Sequence, residues 1–512
     1  MYDVVIVGYG PTGMLAAILL GRAGHRVAVI ERHTTLYNLP RVGIVHDDVL
    51  RMFQEVGCIE AIWPYTHFLP VYELAKHGEI LLSSDVAPLA IHGWPEYTSI
   101  YQPSFEKELD IAARAVPTVE LFPGETALAV KQDANSITVT TEGRDGKTRT
   151  FEGRYLIGAD GGNSFIRGAL GIEYEDLGFD QNWLVVDAKL LRPRPDLPAM
   201  RQLCEPEQPG VTLYMGPNHR RWSFMIFPDE SPEDAVKPES VWRRLDRPEG
   251  GTPEEFELIR VASYKFQSLY AKSWRAGRAF LAGDSAHQMP PFLAQGLCSG
   301  FRDAHNLAWK LSLVLQGKAD DRFLDTYEAE RGPSARATIV ESMRVGLHVN
   351  ERDPEKVKIR DDQLRAMQAA KANKKLEEQL IAFRVPGFAK GLVASGTPGA
   401  GDAFPQAKIR GEREGQFDDI AGRGFMILAR GGDPLAALSA GDRDFWKSLD
   451  GKVVSLGDGG FSDSDGRYGK LMDEYKSDII VKRPDFYIFG TCRNAQGLPA
   501  LLGELRRQLH AA

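Results

Sequence analysis

The sequence predicts an α/β protein. It opens on a parallel sheet, carries a separate mixed β-sheet in its middle and closes with a small α/β domain. Three observations predict this. The N-terminus runs strand, turn, helix, strand: Asp3–Val7 (DVVIV), Gly8–Gly13 (GYGPTG), Met14–Arg22 and His25–Glu31 (HRVAVIE). Short β-branched runs fit strands buried on both faces, and a βαβ unit implies a parallel sheet with a right-handed crossover. Next, Trp183–Leu191, Val211–Met215 and Arg221–Phe227 read as strands of a second sheet, set between Pro-rich loops. Last, a Gly/Pro/Ala/Ser cluster near residues 395–404 reads as a linker to a terminal domain.

The remaining elements follow in order. Ser104–Ala115 reads as a helix. Thr126–Thr141 alternates apolar and polar residues around a turn at Asp133–Asn135, the pattern of antiparallel strands. Tyr155–Ala159 (YLIGA) and Ala279–Ala282 (AFLA) are further buried strands. Asp303–Leu315 reads as a helix with Asn306, Trp309 and Lys310 on its polar or interfacial positions, and a charged helical stretch runs from Glu328 to about Phe383. Beyond the linker, Gly424–Ala429, Lys452–Leu456, Asp478–Val481 and Phe486–Gly490 are short strands, and Leu498–Leu509 is a terminal helix. The chain divides into segments 1–175, 176–270, 271–395 and 396–512.

Composition bounds the function. The net charge of −8 on 512 residues offers no basic field for nucleic acid. The apolar run Met14–Leu20 is far shorter than the roughly 18 residues of a membrane span, and no basic, apolar leader precedes Gly8, so the expected location is the cytoplasm and no membrane partner is expected. Cys58, Cys204, Cys298 and Cys492 lie far apart, without a CxxC or zinc spacing, which fits a reducing compartment and no metal. The 51 glycines exceed the usual share of about 7% without any repeat, so they act as local devices.

Gly8-x-Gly10-x-x-Gly13, with Pro11 and Thr12 completing the turn, follows a strand and opens a helix. Gly8 makes the tight turn, Gly10 lets a pyrophosphate approach the backbone, and Gly13 lets helix and strand pack closely. Phosphates at the helix N-terminus meet free N–H groups and the favourable end of the dipole. Glu31 ends the second strand, placed to accept bonds from an adenosine ribose. On these residues alone the dinucleotide is NAD or FAD.

Two more motifs pair a buried strand with a glycine turn and an aspartate. YLIGADGGNSFIR (155–167) carries Asp160, and GRAFLAGDSAH (277–287) carries Asp284. Aspartates at strand ends are costly unless they face a polar ligand or cap a turn. With GYGPTG these motifs resemble those of the single-component FAD-dependent aromatic hydroxylases, the class A flavoprotein monooxygenases. LPRVGIVHDDVLRMFQEVG, YQPSFEKEL, RRWSF and MPPFLAQGLCSGFRDAHNLAWKL are similar to the 3-(3-hydroxyphenyl)propionate hydroxylase branch. The resemblance covers residues 1 to about 345 and, more loosely, the terminal domain.

The resemblance implies a para-hydroxybenzoate hydroxylase-like FAD domain, interrupted by a substrate-binding sheet, with a thioredoxin-like C-terminal domain. That domain lacks CxxC and therefore thiol redox chemistry. Glu31 and Arg32 would hold the adenosine end of FAD. Arg41 and Gln102 would lie along the flavin, Asp160 would serve FAD and NAD(P)H, Asp284 would meet the ribityl–pyrophosphate region, and Arg167 the nicotinamide phosphates. Pro291, Ala294, Gln295, Gly296, Leu297 and Cys298 would form the loop at the isoalloxazine ring, whose reduced form a helix N-terminus stabilises. The implied reaction uses NADPH or NADH, O2 and a flavin C4a-hydroperoxide to hydroxylate a phenol, with a homodimer as a possible assembly. His46, Tyr214 and His219 are candidates for activating the phenol, and Trp183, Tyr214, Trp222 and Phe224 for the substrate roof. Oxygenation of a polycyclic polyketide is the alternative, and a flavin-binding protein without turnover a third. Three positions depart from the family pattern: Ala294 stands where Gly is usual, Ser223 where Glu is frequent, and His46 where Asp is common.

Overall fold

The computed structural model describes residues 1–371, 384–457 and 459–510. Its first sheet grows from the N-terminal βαβ unit. Tyr2–Val7 lies between Val27–Glu31 and Thr148–Gly158, parallel to both; Val119–Pro123 and Ala279–Leu281 extend the sheet in parallel at its two sides. Each strand is too apolar to face water, and the helix Pro11–Arg22 covers the sheet with buried Met14, Leu15, Ile18 and Leu20. The expected antiparallel pair is Glu125–Gln132 with Ile137–Gly143, and Asp133 Oδ1 closes its turn on the amides of Asn135 and Ser136.

The second sheet has eight strands in the order 287–288, 256–271, 174–190, 219–226, 210–214, 200–203, 71–76, 79–85. It takes two strands, Val71–Lys76 and Glu79–Asp85, from far upstream of the 176–270 segment. Met200–Leu203 pairs with Val71–Lys76 in parallel, a contact across more than a hundred residues that local periodicity does not carry.

Two-residue alternation divides this sheet's side chains. Val185, Val211, Leu213 and Ser223 face the large cavity, as does Trp183. Trp222 and Phe224 point the other way, into a core with Leu184, Val186, Val241 and Leu245. Of the four aromatics expected on the substrate roof, Trp183 alone is there. Aromatic content marked the strands, and register chose the faces.

The helix expected at Asp303–Leu315 starts eight residues earlier and runs Gln295–Leu315, and two helices follow, Thr326–Val349 and Pro354–Ala370. Residues 372–383, the end of the expected charged helical stretch, lie outside the described residues. Asn306 and Lys310 are buried and donate to Glu330 at 2.8 and 2.7 Å, and Asn306 also donates to Asp485 of the C-terminal domain at 2.7 Å, which makes this face of the helix an interface.

The C-terminal domain is a mixed sheet, ordered 452–456, 426–430, 479–482, 488–492, in the thioredoxin-like manner. Buried charge ties it to the first domain. Arg51 is bidentate to Asp418 at 2.7 and 2.8 Å, and Arg483 reaches Glu330 at 2.9 and 2.6 Å. Among the described residues no helix is long and apolar enough to cross a membrane.

Candidate functional site

The three glycine motifs converge at one edge of the parallel sheet. Gly8 has φ 106°, and a Cβ there would meet the Ala159 carbonyl oxygen at 2.3 Å, so only glycine joins the first and second motifs. A Cβ on Gly13 would lie 2.1 Å from the Gly8 carbonyl oxygen, which fixes how tightly the helix seats on the turn. At Gly10 nothing lies within 4 Å of the Cβ position: the turn opens onto free space at a helix N-terminus.

The two motif aspartates differ. Asp160 accepts from Ser164 Oγ at 2.5 Å, the Ile166 amide at 3.0 Å and Ser285 Oγ at 3.1 Å, so it braces the second motif against the third. Asp284 has no hydrogen-bond partner for its carboxylate among the described residues and lines a cavity of about 1080 Å³. The carboxylate is open to that cavity yet ringed by protein, and burial raises its pKa. Its loop is held from behind: Asp303 accepts from the Gly283 amide at 3.0 Å, pairs with His287 Nε2 at 2.6 Å and takes Arg331 Nε at 2.9 Å. His287 ends the third motif and reads from the sequence as support for this loop, which its bond to Asp303 bears out; Arg331 carries no motif and joins them only in the fold.

Opposite Asp284, the helix Gln295–Leu315 aims its N-terminus at the cavity. Pro291, Ala294, Gly296 and Leu297 line the wall. Gln295 and Cys298 turn inward, as the helical repeat dictates: Gln295 Oε1 accepts from Arg302 at 2.7 Å, and the Cys298 thiol points to the Ala294 carbonyl at 3.5 Å. Ala294 sits at φ 55°, ψ 29°, a left-handed conformation that costs a non-glycine residue about 1–2 kcal/mol. Its methyl packs on the cluster of Ile44, Met200 and Leu213, which offsets part of that cost.

Other expected residues brace the site from outside the cavity. Gln102 Oε1 accepts from the amides of Arg41 and Val42 at 2.8 and 2.6 Å; Arg41 itself lines the cavity. Glu31 accepts from the Tyr9 and His33 amides, both at 2.8 Å, beside the Gly8 turn, and Arg32 is exposed with Nε on His33. Arg167 donates to the Gly162 carbonyl at 3.1 Å and stacks over Tyr174, which turns it away from the cavity wall.

None of the three candidates for phenol activation lines the cavity. Tyr214 lies on the back of the sheet and donates to the Arg194 carbonyl at 2.5 Å. His219 lies beyond the cavity edge, stacked on Tyr101 at 3.8 Å. His46 sits behind the Pro291–Gly296 loop and accepts from Gln295 Nε2 at 3.0 Å. Burial, then the Arg302 charge, lowers its pKa from 6.5 to about 4. Between those values the unfolded chain binds a proton that the folded chain refuses. Stability is therefore complete above pH 6.5 and falls as pH drops towards 4, by up to about 3 kcal/mol. His46→Gln is expected to flatten this dependence; urea midpoints at pH 7.5 and 4.5 that shift equally in both proteins would sink the assignment.

Residues 1–342 match the FAD binding domain family, and residues 401–508 match the HcaD C-terminal domain. The chain belongs to this FAD-binding family. It is a flavoprotein monooxygenase that takes FAD as its cofactor and a nicotinamide nucleotide as reductant. A probable NADH-specific resorcinol 4-hydroxylase of Rhodococcus jostii (strain RHA1) is 40% identical over 98% of this chain and 94% of that protein. A 3-(3-hydroxy-phenyl)propionate/3-hydroxycinnamic acid hydroxylase of Mycobacterium sp. (strain JLS) is 33% identical over 99% of this chain and 92% of its own length. The flavin-dependent monooxygenase PieE, solved with FAD and substrate, shares the fold at a TM-score of 0.83 across 99% of both chains, with 23% identity. The flavoprotein's own residues fit the cofactor: an open glycine turn for a pyrophosphate, an unpartnered carboxylate for hydroxyl groups and a helix N-terminus for an electron-rich ring edge.

Proposed function

We propose that this flavoprotein hydroxylates a small phenolic compound with NADH and O2. The observation that carries this is one cavity with two unlike ends. Asp284 and the loop Pro291–Leu297 face a wall of Trp183, Met200 and Leu213. The names of the relatives in Rhodococcus and Mycobacterium support a phenolic substrate, and the first of them supports NADH over NADPH.

When bound, FAD supplies the redox chemistry that moves one oxygen atom from O2 to the ring. The protein binds, orients and excludes water. The turn Gly8–Gly13, including Pro11 and Thr12, takes the pyrophosphate; Glu31 and Arg32 take the adenosine ribose; Asp284 accepts from the ribityl chain. The amides that open the helix at Gln295 would meet the flavin's pyrimidine edge and favour negative charge there. The apolar wall keeps water from the reacting atoms. The protein works in the cytoplasm, with a homodimer as its assembly.

NADH oxidation in air, measured with a panel of phenols and of flat polycycles, tests this. Acceleration by a small phenol with stoichiometric hydroxylated product is expected. A response to polycycles alone would replace this function with polyketide tailoring.

A further inference from the structure

The cavity roof carries a polar pair, Gln202 and Tyr72, that lies outside the three glycine motifs and the Pro291–Leu297 loop. Strands 71–76, 200–203 and 210–214 run side by side, with Met200 opposite Tyr72 and Leu213, and Gln202 opposite Leu74 and Val211. All six side chains line the cavity. Met200, Leu213 and Tyr72 belong to the apolar cluster that packs on Ala294 of the flavin loop. Gln202 stands one pleat further along its strand, roughly 7 Å beyond Met200.

Gln202 is 3% exposed, and its Oε1 has no hydrogen-bond partner among the described residues. A buried amide oxygen without a donor costs about 1–3 kcal/mol, a cost that a bound water or a ligand hydroxyl offsets, and in Gln202 that oxygen belongs to a side chain lining the cavity. Tyr72 stands against the same amide, and burial pushes its phenol well above the usual range, so it stays a neutral hydroxyl that can donate and accept. Of the guanidinium groups that line the cavity, Arg221 is bidentate to Asp187 at 2.6 and 2.9 Å and Arg344 pairs with Glu341 at 2.7 Å, which leaves those two charges compensated. Ser223, opposite Val211 on the same face, adds a hydroxyl in place of a carboxylate. The roof therefore offers neutral hydrogen-bonding groups set one pleat beyond an apolar clamp at the flavin loop.

We propose that Gln202 and Tyr72 bind a second ring hydroxyl, remote from the carbon that is attacked, so that this enzyme selects an uncharged benzenediol over a monophenol. The proposal rests on the hydroxylase function above. A ring clamped between Ala294 and Met200 sends a distal hydroxyl towards Gln202, where it donates to Oε1 and accepts from Tyr72. A site built to hydrogen-bond a hydroxyl rejects the analogue that lacks it, because its own buried groups are then left unpaired.

The test compares kcat/KM for 1,3-dihydroxybenzene and for phenol in the FAD-loaded wild type, Gln202→Leu and Tyr72→Phe. The wild-type diol-to-phenol ratio is expected to exceed about 10, and Gln202→Leu to lower it by roughly 10- to 100-fold. Tyr72→Phe, which keeps the ring, is expected to lower it by roughly 3- to 10-fold and serves if Gln202→Leu does not fold. A ratio within about twofold of wild type in a folded, flavin-loaded variant overturns the subsite while leaving the hydroxylase function standing. A wild type that hydroxylates neither compound but accepts a polycycle overturns both.

Discussion

Asp284→Ala is expected to purify with far less flavin than the wild-type chain. Asp284 is the motif carboxylate that faces the cavity without a protein partner, so its removal withdraws hydrogen bonds from the cofactor and none from the fold. A charge-assisted hydrogen bond contributes about 1.5–3 kcal/mol, which corresponds to roughly 10- to 150-fold in Kd for FAD. Flavin absorbance relative to protein, and titration of the apoprotein with FAD, measure the loss. The apoprotein's thermal midpoint should stay at or above the wild-type value, since an isolated carboxylate in a protein-ringed site is itself costly. Full flavin content in the variant would remove Asp284 from the cofactor site.

Glu330→Gln is expected to destabilise the chain strongly. Glu330 is 2% exposed and accepts from Arg483, Lys310, Asn306 and the Leu392 amide. Burial alone would raise its pKa; the Arg483 and Lys310 charges reverse this and hold it below the usual carboxylate range. The amide keeps the shape and removes the charge, so Lys310 is left buried without a carboxylate, although burial already lowers its pKa to about 8. Breaking a buried pair from one side costs about 3–5 kcal/mol. Arg483 retains Asp485 at 2.7 Å, so the loss falls on the junction between the C-terminal domain and the helix that starts at the flavin loop. Urea denaturation would show it as a lowered midpoint, and a change under 1 kcal/mol would show that the cluster is self-sufficient without Glu330.

The parts of the site legible in the sequence are those whose chemistry is local. Gly8, Gly10 and Gly13 are read from their spacing because the turn's φ value and the close approach of Gly13 to the Gly8 carbonyl are properties of six consecutive residues, whereas the approach of Gly8 to the Ala159 carbonyl arises only in the fold. Ala294 was marked by its departure from glycine, and the left-handed φ there is the reason glycine is usual. Asp160 and Asp284 looked alike as strand-end aspartates. The difference between a brace and an open carboxylate arises from Ser164, Ser285 and the cavity, which meet only in the fold.

The three histidine and tyrosine candidates lie off the cavity for a related reason. A side chain's chemistry is written in its type, whereas its access to substrate depends on register and on what packs over it. Tyr214 is on the wrong face of a two-residue repeat, His219 is covered by Tyr101, and His46 is buried behind the flavin loop. Gln202 and Tyr72, which do reach the cavity, come from strands more than a hundred residues apart and have no motif.

The sequence by itself determined the α/β class, the nucleotide turn and the family, because strand periodicity, glycine spacing and motif order survive in one dimension. The tertiary structure alone decided which polar groups face the cavity, because facing is set by pairing register and by buried charge partners brought from distant segments.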